Sequence, residues 1–517
     1  MPGTSITIGV DLGTTGCRVR AVTDEAESVA EAKVSYKIER PEPGFAEIDP
    51  AIWWKAFRQT THKIMDEVSA RSVKAIAVGS QSTPLLPVDR SNNPIRKAII
   101  WQDTRSLKQT REITEQFGRQ EVRKVTGWPP STFLVWPKIN WFFQNEPRVS
   151  RKTRWFLTAN GFINERLCGD ISADHSNMIG YPRDAKSLEW DRDMCRWKEF
   201  PVEKIPRVVP PTRVIGKVSR RAAQLCGLPP DLPVVAGGLD TACAALATGA
   251  VVPGCAFEVS GTSGGIGMIS EKPSNAFELG VSLHVVESAF INHAPMSAGG
   301  ASLVWCKNTL CQSELQEAQD SDVSVYDLIQ REVLSLPEGP SGLLFLPYMA
   351  GERAPVWDDE TRGAMVGLTL ETTRPEIIKT VMEGTAYAIA QNVRIAERAG
   401  LEVEELRSCG GGSQSIVWSQ LKADIAGKPI AVFPKERDAA FGAALLAHIG
   451  ATDLDMLELA DQLDKAEPAI YIPRDEITEM YEPYQLAYEE LYPNMSHVLP
   501  APKGDLDIDM DLGDLEL

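Results

Sequence analysis

The chain opens on an alternating pattern. Ile6, Ile8 and Val10 alternate with Thr7 and Gly9, which predicts a strand. Asp11-Leu12-Gly13-Thr14-Thr15-Gly16 reads as a turn, and alternation resumes from Cys17 to Val22. There Val19 and Ala21 share one face, and Arg18 and Arg20 the other. The arrangement is therefore strand–turn–strand. A nucleotide P-loop needs a helix after the turn and a Gly-Lys-Ser/Thr ending, and neither is present. The same pattern recurs from Phe257 to Ile269, around Ser260-Gly261-Thr262-Ser263-Gly264. Two similar hairpins predict two related halves. A cleft between such halves is a natural place for a small molecule.

Helical spacing of Trp54, Phe57, Ile64 and Val68 predicts a helix over 51–68. Strands predicted at 73–78 and 98–100 end in Gly79-Ser80-Gln81-Ser82-Thr83 and in Trp101-Gln102-Asp103-Thr104-Arg105. Polar residues just past strand ends are where α/β sheets place ligands, and turn capping explains them too. Helices with aromatic core faces are predicted at 136–143 and 156–167. In the polar turn Ser172–Asn177, His175 reads as structural. Asp174 and Asn177 serve either as hydroxyl binders or as turn caps. In the second half, Thr373-Arg374-Pro375-Glu376 is a capping box opening a long helix that Gly400 closes. Gly410-Gly411-Gly412-Ser413-Gln414-Ser415 leads into a helix with Trp418, Leu421 and Ile425 on one face. A strand at 430–433 and a small-residue helix at 439–449 complete that unit, and a last helix is predicted at 481–492.

Candidate chemistry concentrates between Val234 and Gly264. An apolar run ends at Gly237-Gly238 and exposes one carboxylate, Asp240. A helix of small residues follows, then a strand from Ala256 to Val259 that runs into Ser260–Gly264. A glycine–hydroxyl loop turns backbone N–H groups toward a phosphate. An acid near such a cradle suits a general base in phosphoryl transfer. A helix-capping Asp beside an ordinary glycine turn accounts equally well for this stretch alone.

The 517 residues are too many for one core and imply at least two domains. A net charge of −18 argues against a nucleic-acid surface. It also means that an anionic ligand must be held by local N–H groups and cations. Nine scattered cysteines without metal-ligand spacing suggest reduced thiols and a cytoplasmic location. Neither a signal peptide nor a bilayer-spanning run is apparent.

DLGTTG, GGLDTACA, SGTSGG and CGGGSQS, in this order, resemble the FGGY carbohydrate kinases of the sugar kinase/actin/chaperone-ATPase superfamily. WQDTR, FLPYMAGERAP, MEGTAYAI and DAAFGAALLA support the resemblance, which runs from about Ile6 to Tyr492. It implies an α/β fold of two ribonuclease H-like, actin-like ATPase domains around a central cleft. The expected division is a sugar-side domain over 1–251, a nucleotide-side domain over 252–494, and an acidic, disordered tail over 495–517. The implied reaction moves the γ-phosphoryl group of ATP, with Mg²⁺, to a sugar or polyol hydroxyl.

Residue by residue, the resemblance makes Asp240 the base and Asp11 the Mg²⁺ holder. Gly13, Thr14, Thr15 and Arg18 would meet phosphates from one half, and Gly261 and Thr262 from the other. Gly411, Gly412 and Ser415 would line the adenosine pocket, and Gln81, Asp103 and Asn177 would lie toward the sugar. Xylulose kinases usually read Gln-Met-His-Gly after the third strand, and glycerol kinases Gln-Arg-Glu. This chain reads Gln81-Ser82-Thr83-Pro84, while its second half is closer to xylulose kinase. A ketose such as D-xylulose therefore leads as acceptor, followed by a glycerol- or erythritol-type polyol or another ketose. A nucleotide-gated interaction protein on the same fold is the alternative from another class. A homodimer is compatible with the sequence; nucleic-acid and membrane partners are not expected.

Overall fold

The computed structural model describes residues 4–286, 289–452, 463 and 468–499. The acidic run from Pro500 lies outside the described residues. The chain forms two compact units. The first comprises Met1–Val251, Glu271–Ile291 and Glu436–Ala466; the second comprises Val252–Ser270, Asn292–Lys435 and Glu467–Leu517. The division is thus not made at a single point.

In the first unit, strands β1 (Ile6–Leu12), β2 (Gly16–Thr23), β3 (Ser28–Ser35), β4 (Val73–Ser80), β5 (Val214–Lys217) and β6 (Pro233–Val235) form one sheet, in the order β5-β6-β4-β1-β2-β3. β1 and β2 pair antiparallel with Asp11 opposite Arg18, and β1 and β4 pair parallel. The predicted hairpin is therefore present, and β1 is central. A central strand is covered on both faces, which accounts for the burial of Ile8 and Val10 on one face and of Thr7 on the other. Helix Pro50–Glu67 covers one face. Asp49 caps it by accepting from the Ala51 N–H at 2.9 Å, and Trp53, Phe57 and Ile64 face the core. Of the two tryptophans in this helix, Trp53 rather than the predicted Trp54 is fully buried.

The segment predicted as one helix over 156–167 divides in two. Trp155–Leu157 is a strand paired with Leu86–Val88, and helix Ala159–Cys168 follows. Thr158 causes the break: its hydroxyl accepts from the Gly161 N–H at 3.1 Å and caps the helix.

Helix Ala439–Ala451 groups with this first unit. It packs on β1, β4 and helix Asp240–Ala247 at a separation only glycine permits. A Cβ on Gly9 would lie 2.0 Å from the Ala440 carbonyl, and one on Gly442 would lie 1.8 Å from the Cys243 carbonyl. The small-residue composition that marked this helix in the sequence is thus a close-packing requirement.

The second unit repeats the strand plan. Six strands of a seven-stranded sheet follow in the order β9 (Phe290–Pro295), β8 (Gly265–Ser270), β7 (Cys255–Val259), β10 (Glu405–Cys409), β11 (Ile430–Val432) and β12 (Ala469–Tyr471). β7 pairs antiparallel with β8 and parallel with β10, as β1 does with β2 and β4. The two predicted hairpins thus occupy equivalent places in two related sheets. Helix Arg374–Arg398 starts where predicted, with the Glu376 carboxylate accepting from the Thr373 N–H at 2.7 Å. The last described helix, Asp475–Met495, is longer than the predicted 481–492.

Candidate active site

In the first unit, Asp11 stands at the end of β1 beside the turn Gly13–Thr15. Tyr36 donates its hydroxyl to the Gly13 carbonyl at 2.6 Å, and the Trp101 indole donates to the Thr14 hydroxyl at 2.8 Å. Gln81, just past β4, donates to the Gly13 carbonyl at 3.3 Å and accepts from Thr14 at 3.5 Å. Gln81 therefore braces the turn. Thr15 is exposed.

Asp240 opens helix Asp240–Ala247 and is half-buried; its carboxylate accepts from the Thr241 N–H at 2.7 Å. Asp240 and Asp438 both act electrostatically on Asp11. Burial, then the charges of Asp240 and Asp438, push the Asp11 carboxyl up to about 8, against the opposing pull of Arg18. Asp11 Oδ1 is buried and has no partner among the described residues. A buried carboxylate oxygen without a donor, in a field of further carboxylates, is a place for a cation. Among the described residues no cluster of three or more ligating side chains forms a metal cage.

Arg18 is about a third exposed. It donates to Asp438 Oδ2 at 2.7 Å and pairs with Glu31 at 3.3 Å. Arg20, nearly fully buried, shares the same Asp438 oxygen at 2.9 Å. Asp438 meanwhile caps helix Ala439–Ala451 through the Phe441 N–H at 3.0 Å.

In the second unit, the loop Ser260–Gly264 joins β7 to β8. The first N–H groups of helix Gly299–Leu310 hold its carbonyls: Gly299 to Ser263 at 2.7 Å, Gly300 to Gly261 at 3.0 Å, and Ala301 to Thr262 at 2.9 Å. Fixing the carbonyls of Gly261 and Thr262 in this way fixes the loop's backbone. The Gly410–Ser415 loop locks onto the same segment. Ser260 N–H donates to the Cys409 carbonyl at 2.8 Å, and Gly412 N–H to the Ser260 carbonyl at 2.9 Å. A Cβ on Gly410 would lie 2.9 Å from the Ser260 carbonyl oxygen, so this run of glycines serves close approach of backbone to backbone. Gly411 begins a single 3₁₀ turn, Gly411–Gln414, rather than the α-helix itself. Ser415 caps the following helix through the Trp418 N–H at 3.2 Å and donates to Gln330 at 2.9 Å. Under both loops, Lys422 bonds Glu258 and, at 2.9 Å, Ser260 Oγ.

The family model "FGGY family of carbohydrate kinases, N-terminal domain" matches residues 6–247, and its C-terminal counterpart matches residues 256–451. The chain belongs to the FGGY family of carbohydrate kinases. This FGGY kinase is accordingly a phosphotransferase with an alcohol group as acceptor and ATP as donor. It is 29% identical to a xylulose kinase of Staphylococcus epidermidis, over 94% of this chain and 96% of that one. It is 25% identical to a gluconokinase of Bacillus subtilis, over 89% and 90% respectively. The solved xylulose kinase of Rhodospirillum rubrum superposes with a TM-score of 0.84 at 25% identity, covering 95% of this chain and 99% of that one. No described helix of the FGGY kinase is long and apolar enough to cross a membrane.

The structure gathers Asp11, Gly13, Thr14, Gln81 and Arg18 around the β1–β2 turn, with Asp240 within electrostatic reach of Asp11. Asp103 lies in the turn that follows strand Ala98–Ile99. It is fully buried and accepts from the Ala46 N–H at 2.6 Å and from Arg105 at 2.7–3.0 Å. The Arg105 guanidinium in turn sits 3.7 Å over the Phe45 ring. Both Asp103 oxygens thus accept from protein donors. Asn177 is buried, bonded to Asp174 at 2.8 Å, and its Oδ1 has no partner among the described residues. Sequence reasoning missed Asp438. Its signal was available: an Asp directly before a small-residue helix is an N-cap signature.

Proposed function

We propose that this FGGY kinase phosphorylates a ketose, with D-xylulose as the leading acceptor. Asp240 takes the proton of the attacking hydroxyl. Asp11 would hold Mg²⁺, which would offset phosphate charge. Gly13–Thr15 and Gly261–Thr262 offer backbone and hydroxyl donors to the phosphates, and Arg18 supplies a cation while Asp438 orients it. Gly411, Gly412 and Ser415 form the wall for adenosine, and Gln81 and Asn177 face the sugar. Such a site works by positioning and charge neutralisation rather than covalent chemistry.

The observation that carries this reading is the pair Asp11 and Asp240. Both are half-buried; Asp11 has a buried oxygen lacking a donor among the described residues, and Asp240 stands at a helix start. D-xylulose leads because xylulose kinases align over nearly the whole chain. Two observations favour a second reading, another ketose, gluconate or a small polyol: the Gln81-Ser82-Thr83-Pro84 sequence and the gluconokinase relative. ATP consumption measured with D-xylulose, other ketoses, gluconate, glycerol and erythritol decides. The highest kcat/KM is expected with D-xylulose. A higher value for any other acceptor selects the second reading, and no stimulation by any acceptor rejects both.

A further inference from the structure

Asp174 and Ser176 lie in a short strand and 3₁₀ turn, Ser172–Asp174 and His175–Asn177, and both are buried. The Asp174 carboxylate is a hub. Its Oδ1 accepts from the Ser176 hydroxyl and, at 3.1 Å, from the Asn177 N–H. Its Oδ2 accepts from the Asn177 side-chain amide at 2.8 Å and from the Asn160 amide at 2.9 Å. Asn160 in turn accepts from the Ser80 hydroxyl at 3.3 Å, directly before Gln81. Ser176 Oγ accepts from the Leu239 N–H at 2.9 Å, and Leu239 is the residue immediately before Asp240.

Turn capping accounts for the bond to the Asn177 N–H and for nothing else in this network. A fully buried carboxylate needs donors on both oxygens, and bonds to a charged acceptor are about twice as strong as neutral ones. The hub therefore fixes whatever it holds. It holds two things. Through Ser176 it holds the backbone that sets where Asp240 points. Directly, it turns the Asn177 amide so that its N–H side faces Asp174 and its buried Oδ1 is left over for another donor. A hydroxyl supplies such a donor.

We propose that Asp174 is a positioning residue acting on two groups at once: on Asp240 through Ser176, and on Asn177 directly. The inference rests on the reading of Asp240 as the base and Asn177 as a sugar contact. It predicts a division of effects. Ser176→Ala removes the link to Leu239 and one donor to Asp174 Oδ1, and leaves the Asn177 amide bonded to Oδ2. Asp174→Asn also places an amide donor against the amides of Asn160 and Asn177, so Asn177 must turn.

The test uses the full-length enzyme, the acceptor ranked first by the screen above, and four measurements: kcat, KM for acceptor, KM for ATP and Tm. S176A is expected to lower kcat by up to about 10²-fold, the scale of a small misplacement of a catalytic group, with both KM values and Tm little changed. D174N is expected to lower kcat and also raise the acceptor KM, with the ATP KM retained. Wild-type kcat in S176A overturns the proposal. So does a loss in either variant that merely tracks the fraction of unfolded enzyme. Asp240→Asn is run alongside. If D240N keeps wild-type turnover, the base reading and this inference fall together. If D240N is inactive and S176A is normal, only this inference falls.

Discussion

Replacing Lys422 by Met should destabilise the second unit sharply. The Lys422 side chain is 1% exposed and that of Glu258 is 4% exposed. Lys422 spans three segments: it bonds Glu258 on β7, reaches Ser260 Oγ at 2.9 Å, and lies 4.7 Å from the Trp418 ring on its own helix. In K422M, the Glu258 carboxylate stays buried with the Ser408 hydroxyl, at 2.5 Å, as its one remaining side-chain donor given by the structure. Breaking a buried pair from one side costs about 3–5 kcal/mol, because the surviving charge is uncompensated. At about 2–4 °C per kcal/mol for a domain of 150–250 residues, that is a fall of about 10 °C in Tm.

The double variant K422M/E258Q removes both charges, and replacing both partners of such a pair is close to neutral. It should recover most of the loss. A thermal scan of wild type, both single variants and the double variant completes a double-mutant cycle. The same cycle has a functional arm. Ser260 loses its bond to Lys422 in both K422M and the double variant, so KM for ATP should stay raised even where stability returns. A single K422M variant within about 1 kcal/mol of wild type, or about 3 °C, would refute the reasoning.

Asp240→Asn should lower kcat by about 10²–10⁴-fold with ATP affinity retained; near-normal turnover in steady-state assays would remove Asp240 as base. Gly442→Ala should abolish soluble expression, because its Cβ would meet the Cys243 carbonyl at 1.8 Å between two backbones that cannot both move; a folded, active G442A would contradict the packing described. Lys138, fully buried and bonded to the carbonyls of Thr83 and Phe133 at 3.0 and 3.1 Å, is pushed by burial from 10.5 down to about 7. Between these values the unfolded chain binds more protons than the native one, so this group's contribution to stability rises with pH and is lost as pH falls through about 7. Thermal scans of wild type against K138M from pH 6 to about 10 should show that component vanish in the variant; parallel pH profiles would contradict it.

The two hairpins, their glycine–hydroxyl turns, and the placement of Asp11 and Asp240 at chain reversals were legible in the amino-acid sequence. Alternation with period 2 states which residues of a strand are buried, and a glycine run states where the backbone must turn or be closely approached. Both are local requirements carried by a few consecutive residues. The same information located Glu376 as a cap and Trp418 as a core residue.

What those residues meet was decided by tertiary structure. Helix Ala439–Ala451 reads as the end of the second half but packs on β1, and nothing in its composition names the surface against which Gly442 is pressed. Arg18 carries the same charge whether it faces a phosphate or Asp438, which lies 420 residues away in the chain. Asp103 and Asn177 both follow the pattern of polar residues at chain turns. One has both oxygens occupied by Ala46 and Arg105, while the other keeps a buried oxygen open. Sequence periodicity encodes how much of a side chain leaves water. The identity of its partner depends on long-range packing, which a local pattern of residues does not carry.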